Sequence, residues 1–262
     1  MLANMMAFPG EAVLRLIHFI GEFTVLFTRT FYLCFTPPYK WQRVLIQAKR
    51  VGPESFFIAS LVSFFVGMIM SLQMAYQMVK LSAEIYIPNV VSVAMTRELA
   101  PVLTALIVAG RVGAGIAAEI GSMTVTEQVD ALRAFAVNPI KYLVVPRFLA
   151  LVIMLPVLTV FADLIGVMGA YIICVYKLNV HPSMFYNMVV QTVDVADIMT
   201  GLIKTIFFGG IIALVGCYQG LNVKGGAEGV GRATTVSVVE SFIVIIMVDC
   251  LFTTIFYFIF KM

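Results

Sequence analysis

The chain has 262 residues, of which 61% are hydrophobic and only 12% are charged. A soluble domain is about half apolar with about a quarter of its residues charged, so this composition excludes a soluble globular protein and indicates one polytopic membrane domain. The formal net charge of +3 does not indicate nucleic-acid binding, because most basic residues lie between the apolar stretches.

The first fifty residues form a segment separate from the transmembrane domain, which we place at residues 51–262. The stretch Phe8–Tyr32 is apolar but contains Arg15, Glu22 and Arg29, which favours an amphipathic helix in the membrane interface over a sixth span. Its basic residues are not followed by a short apolar core and a small-residue cleavage site, so we predict no cleavable signal peptide.

Five apolar stretches reach the roughly 20 residues that a transmembrane helix needs. The chain is therefore predicted to be an all-α integral membrane protein. The third stretch contains Pro146 and Pro156 and is predicted to begin at the interface and then to kink or tilt. The five predicted spans are Ser55–Met78, Val90–Val112, Leu143–Cys174, Ile198–Gly220 and Val238–Phe260.

Basic residues are distributed unequally between the two sides of these spans. The segments on one side carry Arg15 to Arg50 and five further basic residues, whereas the opposite loops carry only Lys80 and Lys177. Because cytoplasmic loops are enriched in Lys and Arg, the N-terminus is predicted to be cytoplasmic and the C-terminus to lie outside. The five further residues are Arg133, Lys141, Arg147, Lys224 and Arg232.

Two adjacent charges, Arg97 and Glu98, lie inside the second apolar stretch. A helix that started after them would be about 21 Å long at 1.5 Å per residue, too short for a hydrocarbon core of about 30 Å. The pair is therefore predicted to lie about two turns deep on the outer side. Pro101 cannot donate to the carbonyl of Arg97, so that carbonyl is predicted to be free. A structural ion pair and a lipid or substrate site both remain open.

Three more charges lie within predicted spans: Asp163, Lys204 and Asp249. Lys204 lies within two turns of the outer end, so we predict that its ammonium extends to the interface. Asp163 and Asp249 lie near mid-membrane, where hydrogen bonds between helices are the favoured role. The alternative is a proton relay in a secondary transporter, although no inverted repeat is visible to support it.

Small residues recur at every fourth position after Arg97, a pattern that permits close packing of transmembrane helices. An amphipathic segment, Glu119–Ala136, follows. On a helical wheel its polar stripe is mainly acidic, which disfavours binding to anionic lipid headgroups and favours a basic protein partner. The small residues are Ala105, Ala109, Gly113, Ala117 and Gly121; the polar stripe is Glu119, Thr126, Asp130 and Arg133.

Two further segments have weaker patterns. Lys224–Thr235 has glycines at phosphate-loop spacing, but Arg232-Ala233 follows where that motif needs Lys and then Ser or Thr. We predict a flexible cytoplasmic turn there and no nucleotide binding. His181–Asp194 has apolar residues at helical spacing and predicts a short external helix that packs on the protein. No catalytic constellation is visible, and the four scattered cysteines predict neither a disulfide nor a metal site.

Three runs resemble the MlaE permeases of MCE-type lipid ABC transporters, and the resemblance extends from Trp41 onward. They are RELAPVLTALIVAGRVGAGIAAEIGSMTVTEQVDAL (Arg97–Leu132), NPIKYLVVPR (Asn138–Arg147) and GVGRATTVSVV (Gly229–Val239).

The resemblance implies a homodimeric, non-catalytic permease without a cofactor in the bacterial inner membrane, although plastid envelope lipid importers share the pattern. It would move phospholipids between the inner and outer membranes and so maintain outer-membrane lipid asymmetry. The implied partners are a cytoplasmic MlaF-like ATPase that hydrolyses ATP, an MlaB-like STAS-domain protein and a periplasmic MlaD-like MCE hexamer.

By the same resemblance, Arg97 and Glu98 would lie near a lipid-binding cavity between the protomers. A cytoplasmic coupling helix would grip the ATPase through Glu119, Thr126, Glu127, Asp130 and Arg133. Two other classes of function remain as alternatives: a proton-coupled secondary transporter that uses Asp163 and Asp249, and a membrane scaffold without transport.

Overall fold

A computed structural model describes residues 21–37 and 41–259, and over these ranges the chain is helical without strands. We number its helices α1 to α8. Their bounds are α1, 21–34; α2, Trp41–Met78; α3, Glu84–Val125; α4, Gln128–Ala134; α5, Ile140–Tyr176; α6, Pro182–Thr192; α7, Val195–Leu221; and α8, Gly226–Ile259.

Five of these helices, α2, α3, α5, α7 and α8, are long and apolar enough to cross a membrane. This confirms the predicted all-α membrane fold with five spans. Both α2 and α8 begin earlier than predicted, because polar residues can extend a helix beyond the hydrocarbon core. The predicted interfacial stretch Phe8–Tyr32 is described only from residue 21, where it is helical, and its earlier part lies outside the described residues.

The predicted flexible turn at Lys224–Thr235 is wrong. The turn ends at Gly225, and α8 begins at Gly226 and runs through the rest of the segment. Gly225 and Gly226 have φ of +93° and +69°. Glycine lowers helix propensity by only about 1 kcal/mol. Packing offsets that cost, because Val230 of α8 lies against the Gly121 backbone of α3.

Helix α3 is interrupted by two π-helical turns, Met95–Leu99 and Ala109–Gly113. The first ends two residues before Pro101, whose missing N–H breaks the regular hydrogen-bond pattern. Single π turns inside α-helices occur frequently at functional sites. The first π turn contains Arg97 and Glu98 and therefore determines which neighbouring helices those side chains meet.

Close backbone contacts hold the bundle together. All five small residues of the predicted α3 pattern are buried. Gly113 and Ala117 pack against α7: a Cβ on Gly216 would lie 3.0 Å from the carbonyl oxygen of Gly113, and one on Gly220 would lie 3.1 Å from that of Ala117. Helix α2 has a longer pattern of the same kind against α5, where a Cβ on Gly67 would overlap the carbonyl oxygen of Gly166. Its buried residues include Val51, Ser55, Ala59, Ser63, Gly67, Ser71 and Ala75.

The bundle has two chemically different ends. We call the end where α2, α5 and α8 begin and α3 and α7 finish the basic end; it also holds α4. At the other end, the short helix predicted within His181–Asp194 is confirmed as α6; its external location stays a prediction. Its Phe185 is buried and packs edge-on against Tyr171 of α5, with ring centroids 5.2 Å apart.

Candidate functional site

A buried ion cluster joins three helices near the end of the bundle opposite to the basic end. The side chain of Lys204, on α7, is only 1% exposed. Its Nζ donates to Glu98 of α3 at 2.6 Å and to Thr253 of α8 at 2.8 Å, and it pairs with Asp249 of α8 at 3.0 Å. Thr253 also donates to the other Glu98 oxygen at 2.9 Å. A buried ammonium needs such partners to offset its desolvation.

The prediction that Lys204 extends to the interface is wrong. Extension is favourable when no acceptor lies within reach inside the protein, but here carboxylates from two neighbouring helices surround the ammonium. The carbonyl of Arg97, which Pro101 leaves without its helical donor, is a further acceptor for Lys204 Nζ at 3.3 Å. Pro101 cannot donate to that carbonyl, and the Lys204 side chain donates to it instead.

Arg97 and Glu98 bind two different residues of α7. Arg97 Nε pairs with Asp197, whose carboxylate also accepts the N–H of Asp194 at 3.0 Å in the capping box that begins α7. The Arg97 and Glu98 side chains remain 35% and 37% exposed. The geometry therefore supports structural ion pairs and leaves part of each group accessible; a role of Arg97 and Glu98 in lipid binding stays a prediction.

The two acids considered for a proton relay have different surroundings. Asp249 belongs to the Lys204 cluster, which gives it the predicted role between helices. Asp163 on α5 is 8% exposed, and its Oδ1 has no hydrogen-bond partner among the described residues. No hydrogen bond or ion pair within those residues joins the two acids.

A second network lies at the basic end. Glu119 of α3 pairs with Arg50 of α2 at 3.3 Å and with Arg147 of α5 at 3.0 Å. Arg147 also donates to the carbonyl of Leu143 at 2.8 Å. The Arg147 side chain is 5% exposed. Glu119 thus connects three spans, and its two arginine partners were not predicted, because they come from distant parts of the sequence.

The prediction that Glu119–Ala136 forms one amphipathic helix is wrong. Helix α3 ends at Val125, Glu127 adopts φ +59°, and α4 begins at Gln128. The left-handed residue interrupts the helical periodicity, so Glu119 and Asp130 do not share one stripe. Thr126, Glu127, Asp130 and Arg133 are exposed, and Asp130 pairs with Arg133 at 2.8 Å.

Helix α4 buries one apolar side chain among its described residues. Val129 is buried with 3% exposure, while the residues around it on α4 are largely exposed. The arrangement presents a short polar helix at the end of α3 with its charged residues accessible from the basic end.

Several known proteins are similar to this chain in sequence over most of its length. The family described as "Permease MlaE" matches residues 44–255. A "Probable ABC transporter permease protein" of Rickettsia bellii is 41% identical over 257 residues, covering 98% of this chain and 99% of that protein. A probable ABC transporter permease protein of Synechocystis sp. is 45% identical over 204 residues, covering 78% of each chain.

A plant relative extends the comparison. "Protein TRIGALACTOSYLDIACYLGLYCEROL 1, chloroplastic" of Arabidopsis thaliana is 35% identical over 217 residues, covering 83% of this chain and 62% of that protein. The matched region contains all five span-length helices almost completely, including the ion cluster and α4. With five membrane-spanning helices and these full-length permease relatives, the chain belongs to the MlaE permease family.

Proposed function

We propose that this chain is the transmembrane permease subunit of an ABC transporter that moves phospholipids between the inner and outer membranes of a bacterial cell. It is a homodimer in the inner membrane with a cytoplasmic N-terminus, and it catalyses no reaction itself. An MlaF-like ATPase drives it, with an MlaB-like STAS-domain protein and a periplasmic MlaD-like MCE hexamer as further partners. Its transport maintains outer-membrane lipid asymmetry.

One observation carries this proposal: a single span, α3, has the exposed helix α4 at one end and the ion cluster near the other. An ATPase that binds α4 would therefore act on α3, because α4 directly follows α3, and α3 holds Arg97 and Glu98. The small residues of α3 bring its backbone close to that of α7, so a displacement of α3 would be transmitted to α7, because closely packed interiors are barely compressible. Closure of the ATPase pair would thus shift the ion cluster and reshape a lipid cavity between the protomers.

The coupling role of α4 is tested by reversing its charges. Asp130→Arg or Arg133→Glu removes charge complementarity to a partner, so we expect co-purification of the ATPase to be lost. The intramolecular pair is exposed and contributes no more than about 1 kcal/mol, so the permease itself should remain folded. Lys80→Glu, a charge reversal at the other end of the bundle, is the matched control. Retention of the ATPase by both α4 variants would contradict the assignment.

The lipid role of the Arg97–Glu98 region is tested by ATP-dependent transfer of a fluorescent phospholipid in the reconstituted assembly. Arg97→Ala and Glu98→Ala should each slow transfer about tenfold, which corresponds to about 1.4 kcal/mol of activation free energy. Lys177→Ala, outside the spans, should not slow it. Wild-type transfer by folded Arg97→Ala and Glu98→Ala would show that the site is assigned wrongly.

The Oδ1 of Asp163 has no hydrogen-bond partner within residues 21–37 and 41–259, which keeps a proton-coupled secondary transporter as the second candidate. That candidate requires the isolated subunit to carry out flux that depends on a proton gradient and is lost in Asp163→Asn and Asp249→Asn. The ABC transporter proposal instead requires no flux without the ATPase. Liposomes with an imposed pH gradient distinguish the two.

A further inference from the structure

A groove at the basic end has no role in the proposed transport cycle. It lies between the end of α1, the first turns of α2 and the π-helical first turn of α5, and it encloses about 190 Å³. Its walls include Leu33, Trp41, Val44, Tyr142 and Pro146, and Lys141 lies at its edge. The groove is thus mainly apolar and aromatic with one cation.

The aromatic residues of the groove are typical of the interface between a membrane and water. Trp41 is the first residue of α2, and Tyr142 lies in the first turn of α5. Trp and Tyr concentrate where a span meets the interface. The surrounding surface is strongly apolar: Tyr32, Phe35 and Trp41 are 70%, 67% and 58% exposed. A surface of this composition beside span ends is suited to lipid rather than to water.

The charges beside the groove are not neutralised within the described part of the chain. Lys141 Nζ donates to the carbonyl of Pro37 at 2.9 Å, and the Arg43 guanidinium lies 3.4 Å from the centroid of the Tyr142 ring. No carboxylate among the described residues pairs with either cation, whereas Arg50 and Arg147 at the same end share Glu119. An ammonium has three hydrogens, so Lys141 can still donate to an anionic ligand.

We propose that this groove binds an anionic phospholipid of the leaflet at the basic end, with the phosphate near Lys141 and an acyl chain along Trp41 and Val44. Lys141 and Arg43 supply the charge complementarity, and the aromatic rim supplies the apolar contact. The groove lies at the opposite end of the bundle from the Arg97–Glu98 cluster, so its lipid is not the one held in the proposed transport cavity.

The chain provides its own reporter, because Trp41 is its only tryptophan. The full-length protein is reconstituted in phosphatidylcholine bilayers with increasing fractions of dibrominated phosphatidylglycerol or dibrominated phosphatidylcholine, whose bromines quench a nearby indole. We expect phosphatidylglycerol to quench Trp41 with an association constant about 25-fold higher, because each of the two cations attracts an anionic lipid by about 1 kcal/mol. Lys141→Gln should reduce the ratio to about fivefold, and Lys141→Arg should retain it.

Lys49→Gln is the matched control, since Lys49 is an exposed lysine on α2 that does not line the groove; it should keep the preference. If Lys141→Gln does not fold, Arg43→Gln should lower the same ratio. Equal quenching by the two lipids, or equal effects of the Lys141 and Lys49 variants, would overturn the proposal. Absence of quenching by either lipid would mean that protein fills the groove, which also overturns it. The measurement requires neither ATPase nor transport, so it is independent of the proposed function.

Discussion

Lys204 shows how a charge becomes tolerable inside an apolar bundle. Its ammonium meets carboxylates from α3 and α8, a threonine hydroxyl and the Arg97 carbonyl, to which Pro101 cannot donate. Removal of one member of such a buried set leaves the others uncompensated. The cluster therefore stabilises the positions of three helices relative to one another.

Lys204→Met should destabilise the protein strongly, because Glu98 and Asp249 would then be neighbouring carboxylates without a cation. We expect a loss of about 3 kcal/mol, measured as a lower thermal unfolding midpoint in detergent. Lys177→Met removes a lysine outside the spans and should leave the midpoint unchanged. Equal midpoints for the two variants would show that the cluster contributes little to stability.

Cys34 provides a second prediction at this scale. Burial raises the pKa of its thiol to about 11, and the thiolate is the nucleophile in alkylation. Since the thiol stays protonated well below that pKa, labelling by iodoacetamide should be slow at pH 7.5 and should accelerate with pH up to about 11. A cysteine at the exposed Tyr32 position, compared in a background without Cys34, should react readily at pH 7.5. Comparable rates at that pH would contradict the assigned burial.

At the scale of elements, backbone proximity decides which helices are neighbours. Helix α2 presents a small residue at almost every fourth position to α5, and Gly67 and Gly166 bring their backbones together. The same spacing predicted close packing for α3, but the longer α2 pattern was not recognised, because its serines are as compatible with a polar face as with a packed one. Only the position of α5 shows that the α2 serines are buried.

Gly67→Ala should lower stability, because the new methyl would overlap the carbonyl of Gly166 and force α2 and α5 apart. Overpacking typically costs about 1–3 kcal/mol. Gly115→Ala on α3 is the control, since no atom of the described part of the chain lies within 4 Å of its Cβ position. The higher helix propensity of alanine should leave stability equal or higher. Thermal unfolding of both variants in detergent measures the difference. A Gly67→Ala midpoint at or above that of Gly115→Ala would refute the close contact.

For the whole molecule, the distribution of charge between the two ends predicts orientation. Arg50, Arg147 and the groove cations lie at the basic end, and cytoplasmic segments are rich in such residues. The basic end, with α4, is therefore expected to face the cytoplasm, where an ATPase can reach it.

This orientation is tested with an impermeant maleimide on intact spheroplasts. Lys177→Cys should be labelled directly, whereas Phe135→Cys, 80% exposed beside α4, should be labelled only after permeabilisation. Both sites lie outside the spans, so each tests access rather than burial. The reverse pattern would place α4 outside and remove the proposed ATPase contact.

Hydropathy and residue spacing are sufficient to predict the five spans, the helix α6 and the loss of the helical donor to the Arg97 carbonyl at Pro101. Each of these depends on residues within a few turns of the same helix. The failures share a cause. Lys204 is predicted at the interface, but carboxylates of distant helices hold it inside the bundle. Lys224–Thr235 is predicted as a turn, but packing of Val230 against α3 stabilises a helix there. Glu119–Ala136 is predicted as one helix, but the left-handed Glu127 divides it.

The sequence alone determined that the chain crosses a membrane with five helices, which charges lie within them and which family its motifs resemble. The tertiary structure alone decided which charges meet: Arg97 with Asp197, Glu98 with Lys204, and Glu119 with Arg50 and Arg147. The reason is physical. Apolarity and helical spacing are properties of consecutive residues, whereas the partner of a buried charge depends on how separate helices pack.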